Sequence, residues 1–148
     1  MTNPFEIRIL AAKRLEEAEI LLNNGKFEGA FYLAGYSIEL TLKAKICEHL
    51  DVPNLFASSE QGKPFLANLR KAVKIHNLET LFTFSGLANK LDIKKSGDQD
   101  FSKLFGLIVC WNEDARYSTP TDISEISTRK IIEFLKAKNG LLAWITQN

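Results

Sequence analysis

The sequence contains few of the residues from which metal centres and disulfide frameworks are built. Its 148 residues include two cysteines and two histidines, and no CxxC or Cys/His spacing brings them together. We therefore predict no metal site and no cofactor, and interpret Cys47 and Cys110 as reduced thiols in the core. A glycine-rich phosphate loop, an HExxH motif and a nucleophile elbow are also missing, which excludes the enzyme classes built on those motifs.

A strong charge imbalance and a long apolar run are missing as well. The formal net charge of +1 argues against bulk electrostatic attraction to DNA. The longest apolar run, residues 104–111, is too short to span a bilayer, and the first residues show no basic region followed by an apolar one. We expect a cytoplasmic protein without a membrane partner. Its length and its 45% hydrophobic content suit one globular domain over residues 1–148.

The positions of capping residues, proline, glycine and serine along the chain predict helices and no strands. Asn3, Pro4 and Glu6 have the spacing of a helix N-cap, a first-turn proline and a capping glutamate. Proline, glycine and serine between residues 51 and 75 indicate a long connection with at most short helical turns. We expect an all-α, antiparallel, four-to-five-helix up-and-down bundle. Its predicted helices cover residues 4–22, 27–50, 78–90, 100–117 and 123–145, with Gly140 a weak point in the last.

The second predicted helix carries charged residues on its buried side. At about 100° per residue, one stripe looks like the solvent side, and it contains Ser37, Thr41, Lys45 and Glu48. The opposite stripe is flanked by apolar residues, and it contains Tyr32, Tyr36, Glu39 and Lys43. A buried charge without a partner costs several kcal/mol. We therefore expect this stripe to meet polar groups, another subunit or a ligand.

The fourth predicted helix offers partners for these charges. Asn112 and Arg116 lie four residues apart on a stripe that is otherwise apolar. We expect Arg116 to form a forked pair with Glu39, with Asn112 and the Tyr36 hydroxyl completing the hydrogen bonds. A purely structural network of buried polar groups explains the same pattern, so both interpretations stay open.

Three motifs in this order resemble the HEPN domain (higher eukaryotes and prokaryotes nucleotide-binding) over almost the whole chain. They are AGYSIELTLKA at residues 34–44, HNLETL at 76–81 and WNEDARY at 111–117. The resemblance implies an antiparallel helical bundle that commonly forms dimers. It also implies one of three roles: an RNA-cleaving toxin, a partner of a small nucleotidyltransferase, or a non-catalytic nucleotide- or RNA-binding module.

Nucleases of this family use an arginine followed four to six residues later by a histidine. Aligned on Asn112, this sequence has Trp111 at the arginine position and Arg116 at the histidine position. Tryptophan carries no charge, and a guanidinium does not exchange protons near pH 7. We therefore predict no catalytic residue at this position and favour a protein that is not an enzyme.

Arg70 and His76 have the family's spacing but precede the third predicted helix instead of lying on the fourth. We expect His76 to cap the third helix or to bond to the long connection. Together with Lys74, the pair belongs to a basic stretch that contains no acidic residue between Glu60 and Glu79. Such a stretch is either a solvated surface or a binding surface for a nucleic-acid phosphate or an acidic partner.

These observations predict a non-catalytic HEPN-type binding module that forms a homodimer and binds a nucleotide or RNA. Trp111, Tyr117 and the stripe from Asn112 to Arg116 are expected at the dimer interface. The binding candidates are Tyr36, Glu39, Lys43, Asn112, Arg116 and Tyr117, followed by Arg70, Lys74 and His76. The alternatives are a metal-independent ribonuclease, as the toxin of a pair with an antitoxin protein, and an accessory subunit of a nucleotidyltransferase.

Overall fold

The computed structural model describes residues 3–57, 64–112 and 124–148. Within these ranges every regular element is a helix, which confirms the all-α prediction. These described ranges contain eight helical segments, where we expected four or five. They are α1 (Pro4–Asn23), α2 (Phe27–His49), α3 (Pro64–Val73), α4 (Leu78–Phe84), α5 (Ala88–Gly97), α6 (Gln99–Ile108), α7 (Glu125–Lys136) and α8 (Leu141–Gln147).

Helices α1 and α2 form an antiparallel hairpin, and α2 also packs against α4, α7 and α8. The α1 start is as predicted, because the Asn3 side chain accepts a hydrogen bond from the Glu6 amide at 3.0 Å and proline occupies the first turn. Gly25, at φ +71°, turns the chain between the two helices. A forked ion pair then joins Arg8, near the start of α1, to Glu48, near the end of α2.

The stripe of α2 that looked solvent-facing is in part buried, so that prediction was wrong for two of its residues. Ser37 is 0% exposed and Thr41 is 4% exposed. The stripe faces α1, as the Arg8–Glu48 pair on the same side of α2 shows. Both hydroxyls donate to carbonyl oxygens of their own helix, at 2.7 and 2.8 Å. Their hydrogen-bonding needs are met locally, which makes burial against α1 inexpensive.

Two predicted helices are each divided by a glycine turn. The expected helix at 78–90 is α4 followed by α5, separated at Gly86, which has φ +75°. A side chain at this position would also collide with the ring of His49, since its Cβ would lie 2.5 Å away. The expected helix at 123–145 is α7 followed by α8, and the break falls at Gly140, the predicted weak point.

The connection between α2 and α4 contains a ten-residue helix, α3, where we expected only short turns. Its last residue, Val73, is fully buried and attaches the helix to the core. Among the described residues, no helix is both long and apolar enough to cross a bilayer.

Helix α6 is shorter than predicted. It begins after Asp98, whose side chain accepts a hydrogen bond from the Phe101 amide at 3.0 Å, and it ends at Ile108. Asn112 therefore lies beyond the helix, which corrects the prediction that it shares a helical stripe. Cys110 is also outside the helix and exposed, so only Cys47 is the core thiol that we expected.

Candidate functional site

The candidate site is built around Glu39, a carboxylate in the middle of α2 that is 1% exposed. Each of its oxygens has a partner. Oε1 accepts a hydrogen bond from the Lys43 ammonium at 2.6 Å, and Oε2 lies 2.9 Å from Nδ1 of His76. We call Glu39, Lys43 and His76 the buried triad. Its existence confirms that α2 carries charges on a buried face and that they meet polar groups.

Lys43 is placed by the helix itself. It follows Glu39 by one turn, the spacing at which helical side chains meet, and it is 6% exposed. Its ammonium also lies 5.7 Å from the centre of the Phe56 ring, within the range of a cation–π contact. Lys43 is thus held between a carboxylate and an aromatic face, well away from bulk water.

His76 comes from the segment between α3 and α4. The expected capping role is wrong for this residue, because Asn77 caps α4 by accepting a hydrogen bond from the Thr80 amide at 2.8 Å. His76 instead turns toward α2 and contacts Glu39, while 47% of its side chain is exposed. It is the residue through which the buried carboxylate is linked to the surface.

The chemistry of this contact depends on which atom carries the proton. A neutral imidazole that donates from Nδ1 to a carboxylate has an acceptor at Nε2, and a doubly protonated one forms an ion pair. A carboxylate on Nδ1 is a common way for proteins to fix the orientation of a histidine. The Glu39–His76 contact therefore presents an oriented imidazole at the protein surface.

The basic stretch that precedes His76 covers the end of α3 and the lysine that follows it. Arg70 donates from Nε to the backbone oxygen of Leu55 at 2.5 Å, which ties α3 to the segment after α2. Lys71 and Lys74 are exposed. The exposed lysines and the His76 imidazole thus belong to one short segment of the chain, which contains no acidic residue.

Tyr36 lies one turn before Glu39 and is half-buried. Burial raises the pKa of its hydroxyl, and the negative charge of Glu39 raises that pKa further. The phenol therefore stays protonated and able to donate a hydrogen bond. Its ring is stacked on Tyr32, with the ring centres 6.4 Å apart.

Trp111 lies in the core, although we expected it at a dimer interface. It is 5% exposed, and its indole N–H donates to the backbone oxygen of Tyr32 at 3.1 Å. Gly35 makes this position available, since a Cβ there would lie 2.1 Å from the indole. Trp111 therefore holds the segment after α6 against α2.

The other predicted site residues are not brought together in the described part of the chain. Asn112 is exposed just after Trp111. Arg116 and Tyr117 lie outside the described residues, and so does the predicted contact of Arg116 with Glu39. The link between Glu39 and His76 was not predicted from the sequence. One feature of the sequence could have indicated this link. A histidine follows isoleucine and directly precedes Asn77 and Leu78, where a helix begins whose buried side must pack on α2.

The described residues contain no group of three or more histidine, cysteine, aspartate or glutamate side chains arranged to hold a metal ion. No protein-family model matches the chain, and no curated protein or solved structure is significantly similar to it.

Proposed function

We propose that this chain is a non-catalytic helical module that binds the phosphate groups of a nucleotide or RNA at the surface around His76. The observation that carries the proposal is the 2.9 Å contact between Glu39 and His76, which orients a half-exposed imidazole beside a basic stretch. The HEPN resemblance supports the same conclusion, because two of its three motifs supply the residues of this contact.

Exposed positive charges favour phosphate binding at this surface. Lys71 and Lys74 are exposed cations on the same short segment as His76, and cations near a phosphate release condensed counterions when they bind it. The imidazole adds a hydrogen-bond donor whenever it is protonated at both nitrogens. The overall charge of +1 makes this a local binding surface, in contrast to a generally basic protein.

The test measures binding of a fluorescein-labelled single-stranded RNA by anisotropy, in chelator and at several salt concentrations. We expect binding that weakens as salt rises. His76→Ala and the double variant Lys71→Ala/Lys74→Ala should weaken it, and the double variant should also lower the slope of log affinity against log salt by about one unit for each lost phosphate contact.

The matched control is Lys103→Ala/Lys130→Ala, which removes two exposed lysines from α6 and α7. It changes the net charge by the same amount and should leave binding nearly unchanged. Equal effects of the two double variants would show that binding is non-specific, and an unaltered affinity in His76→Ala would contradict the proposed site.

The second candidate function is a metal-independent ribonuclease. The specific observation in its favour is again the Glu39 carboxylate on His76 Nδ1, since this arrangement orients a histidine for taking up a proton from a ribose hydroxyl. Cleavage of the labelled RNA in chelator that is lost in His76→Ala and Arg70→Ala would select this function over simple binding.

We further propose that the module acts as a homodimer, as the HEPN resemblance implies. Because Trp111 is buried within the chain, we expect the dimer interface on another part of the surface. A nucleotidyltransferase or an antitoxin protein as a further partner belongs to the accessory-subunit and toxin alternatives. Co-purification with the product of an adjacent reading frame tests both alternatives directly.

A further inference from the structure

Helix α3 has an apolar face that the core buries only in part. At about 100° per residue, its apolar residues fall within an arc of about 120°, the width expected of a helix face that packs on a core. They are Phe65, Leu66, Leu69, Ala72 and Val73. Of these five, only Val73 is buried, whereas Phe65 is 60% exposed and Ala72 is also exposed. The pattern therefore predicts more burial than the chain itself provides.

Cationic side chains accompany this apolar face. Arg70 and Lys71 lie in the last turn of α3, and Lys74 follows the helix. The sequence from residue 64 to residue 76 contains no acidic residue, so no carboxylate of this segment neutralises the three positive charges. A basic amphipathic helix is typical of segments that bind an anionic membrane surface or the helix-binding groove of an acidic protein.

The attachment of α3 to the rest of the chain favours the membrane surface. Val73 is fully buried, and Arg70 donates to the backbone oxygen of Leu55 at 2.5 Å, so one side of the helix is held against the chain. A protein groove that binds an amphipathic helix takes up its apolar face, and part of that face is already occupied at Val73. A bilayer surface needs only one exposed side of a helix that lies in its plane.

The exposed groups of α3 are those that a membrane surface binds. Phe65 lies in the first turn, and Lys71 lies about 9 Å further along the axis at a rise of 1.5 Å per residue. When α3 lies parallel to the membrane, the Phe65 ring reaches the boundary between headgroups and acyl chains. The lysine stems extend along apolar surface and keep their ammonium groups at the headgroups. Apolar contact and charge attraction therefore act together.

We propose that α3 binds the surface of an anionic lipid bilayer, with the Phe65 ring inserted among the headgroups and Lys71 and Lys74 on the lipid phosphates. The inference goes beyond the proposed function and does not depend on it, although both use the two lysines. It departs from the expectation of no membrane partner, which rested on hydropathy and charge along the whole sequence and not on the exposure of one ring. One short helix with one large exposed side chain should bind weakly and reversibly.

The test is co-sedimentation of the full chain with sucrose-loaded vesicles. The probes are vesicles of phosphatidylcholine alone and vesicles in which about one third of the lipid is phosphatidylserine. We expect binding to the second kind that weakens as salt rises. Phe65→Ser should weaken it at least about fivefold, because it removes the inserted ring, and Phe65→Trp should preserve it. Lys71→Ala/Lys74→Ala should weaken it about tenfold or more.

Ile20→Ser is the matched control for the ring. Ile20 is 55% exposed and lies near the Gly25 turn, at the opposite end of the α1–α2 hairpin from Leu55, to which α3 is tied. Lys103→Ala/Lys130→Ala is the matched control for charge. Both controls should bind the anionic vesicles like the wild type. All of these variants change exposed residues, and circular dichroism checks that they fold.

Absence of binding to the anionic vesicles would overturn the inference and leave an acidic protein groove as the occupant of the apolar face. Binding that needs the two lysines but not Phe65 would overturn it as well, since the surface would then bind phosphate without inserting into lipid. Equal weakening by Phe65→Ser and Ile20→Ser would refute the assignment to α3. RNA binding is measured separately: Phe65→Ser should leave it unchanged, and a wild type that binds vesicles but no RNA contradicts the proposed function alone.

Discussion

Removing the Lys43 charge should strongly destabilise the protein. Lys43 donates to Glu39 at 2.6 Å, and the two side chains are 7% and 1% exposed. Lys43→Met keeps a long apolar stem but leaves a buried carboxylate without its ammonium partner. Breaking a buried pair in this way costs about 3–5 kcal/mol. A domain of this size loses roughly 2–4 °C in Tm per kcal/mol, so the melting temperature should fall by roughly 6–20 °C.

The assay is urea unfolding followed by circular dichroism. Lys45→Met serves as the control, since Lys45 is on the same helix but partly exposed, and it should cost less than about 1 kcal/mol. The double variant Glu39→Gln/Lys43→Met removes both charges and should recover much of the loss. Equal destabilisation by Lys43→Met and Lys45→Met, or an additive double variant, would refute the reasoning.

Three further predictions follow from local features. Gly35→Ala should lower the free energy of unfolding by about 1–3 kcal/mol, because its Cβ would lie 2.1 Å from the indole packed against it. Gly106→Ala has open space around it and should leave that free energy unchanged or raise it by up to about 1 kcal/mol. Urea unfolding that ranks the two variants in the reverse order would contradict this packing. Burial raises the pKa of the Cys47 thiol to about 11, so a thiol reagent at pH 8 should modify Cys110 alone in the native protein and both cysteines after unfolding. Rapid reaction of two thiols in the native protein would be inconsistent with the buried position of Cys47. The forked guanidinium from α1 lowers the pKa of Glu48, so this ion pair stabilises the fold above the usual glutamate pKa and stops doing so as the pH falls through the lowered pKa. Glu48→Gln should therefore lose less stability than the wild type between about pH 5 and pH 3. Parallel profiles of stability against pH would argue against the pair.

The helix content and the burial of two charges were predictable because they follow from local rules. The Asn3 cap depends on residues three apart, and the position of Glu39 and Lys43 among apolar neighbours is a property of one helical turn. The breaks at Gly86 and Gly140 were harder to judge. A glycine is tolerated inside a helix, and the approach of His49, which leaves no room for a Cβ at Gly86, depends on the packing of distant segments.

The partners of the buried charges could not be predicted, because they depend on how distant segments pack. Many polar residues were candidates for Glu39, and helical spacing favoured Arg116, which lies outside the described residues. His76 reaches Glu39 because α4 packs against α2, a tertiary arrangement with no counterpart in the local pattern. The length of α6 was misjudged for a similar reason, since Trp111 continues the apolar pattern although it packs from a non-helical segment.

The hydroxyls of Ser37 and Thr41 have a consequence for the substitutions that this chain should tolerate. Because each donates to its own helix, neighbouring helices meet mainly the carbon atoms of these side chains. Alanine at position 37 and valine at position 41 should therefore be accepted in a library selected for folding, whereas larger or charged residues should be rejected. Two positions that look polar on a helical wheel would then vary during evolution as interior positions do.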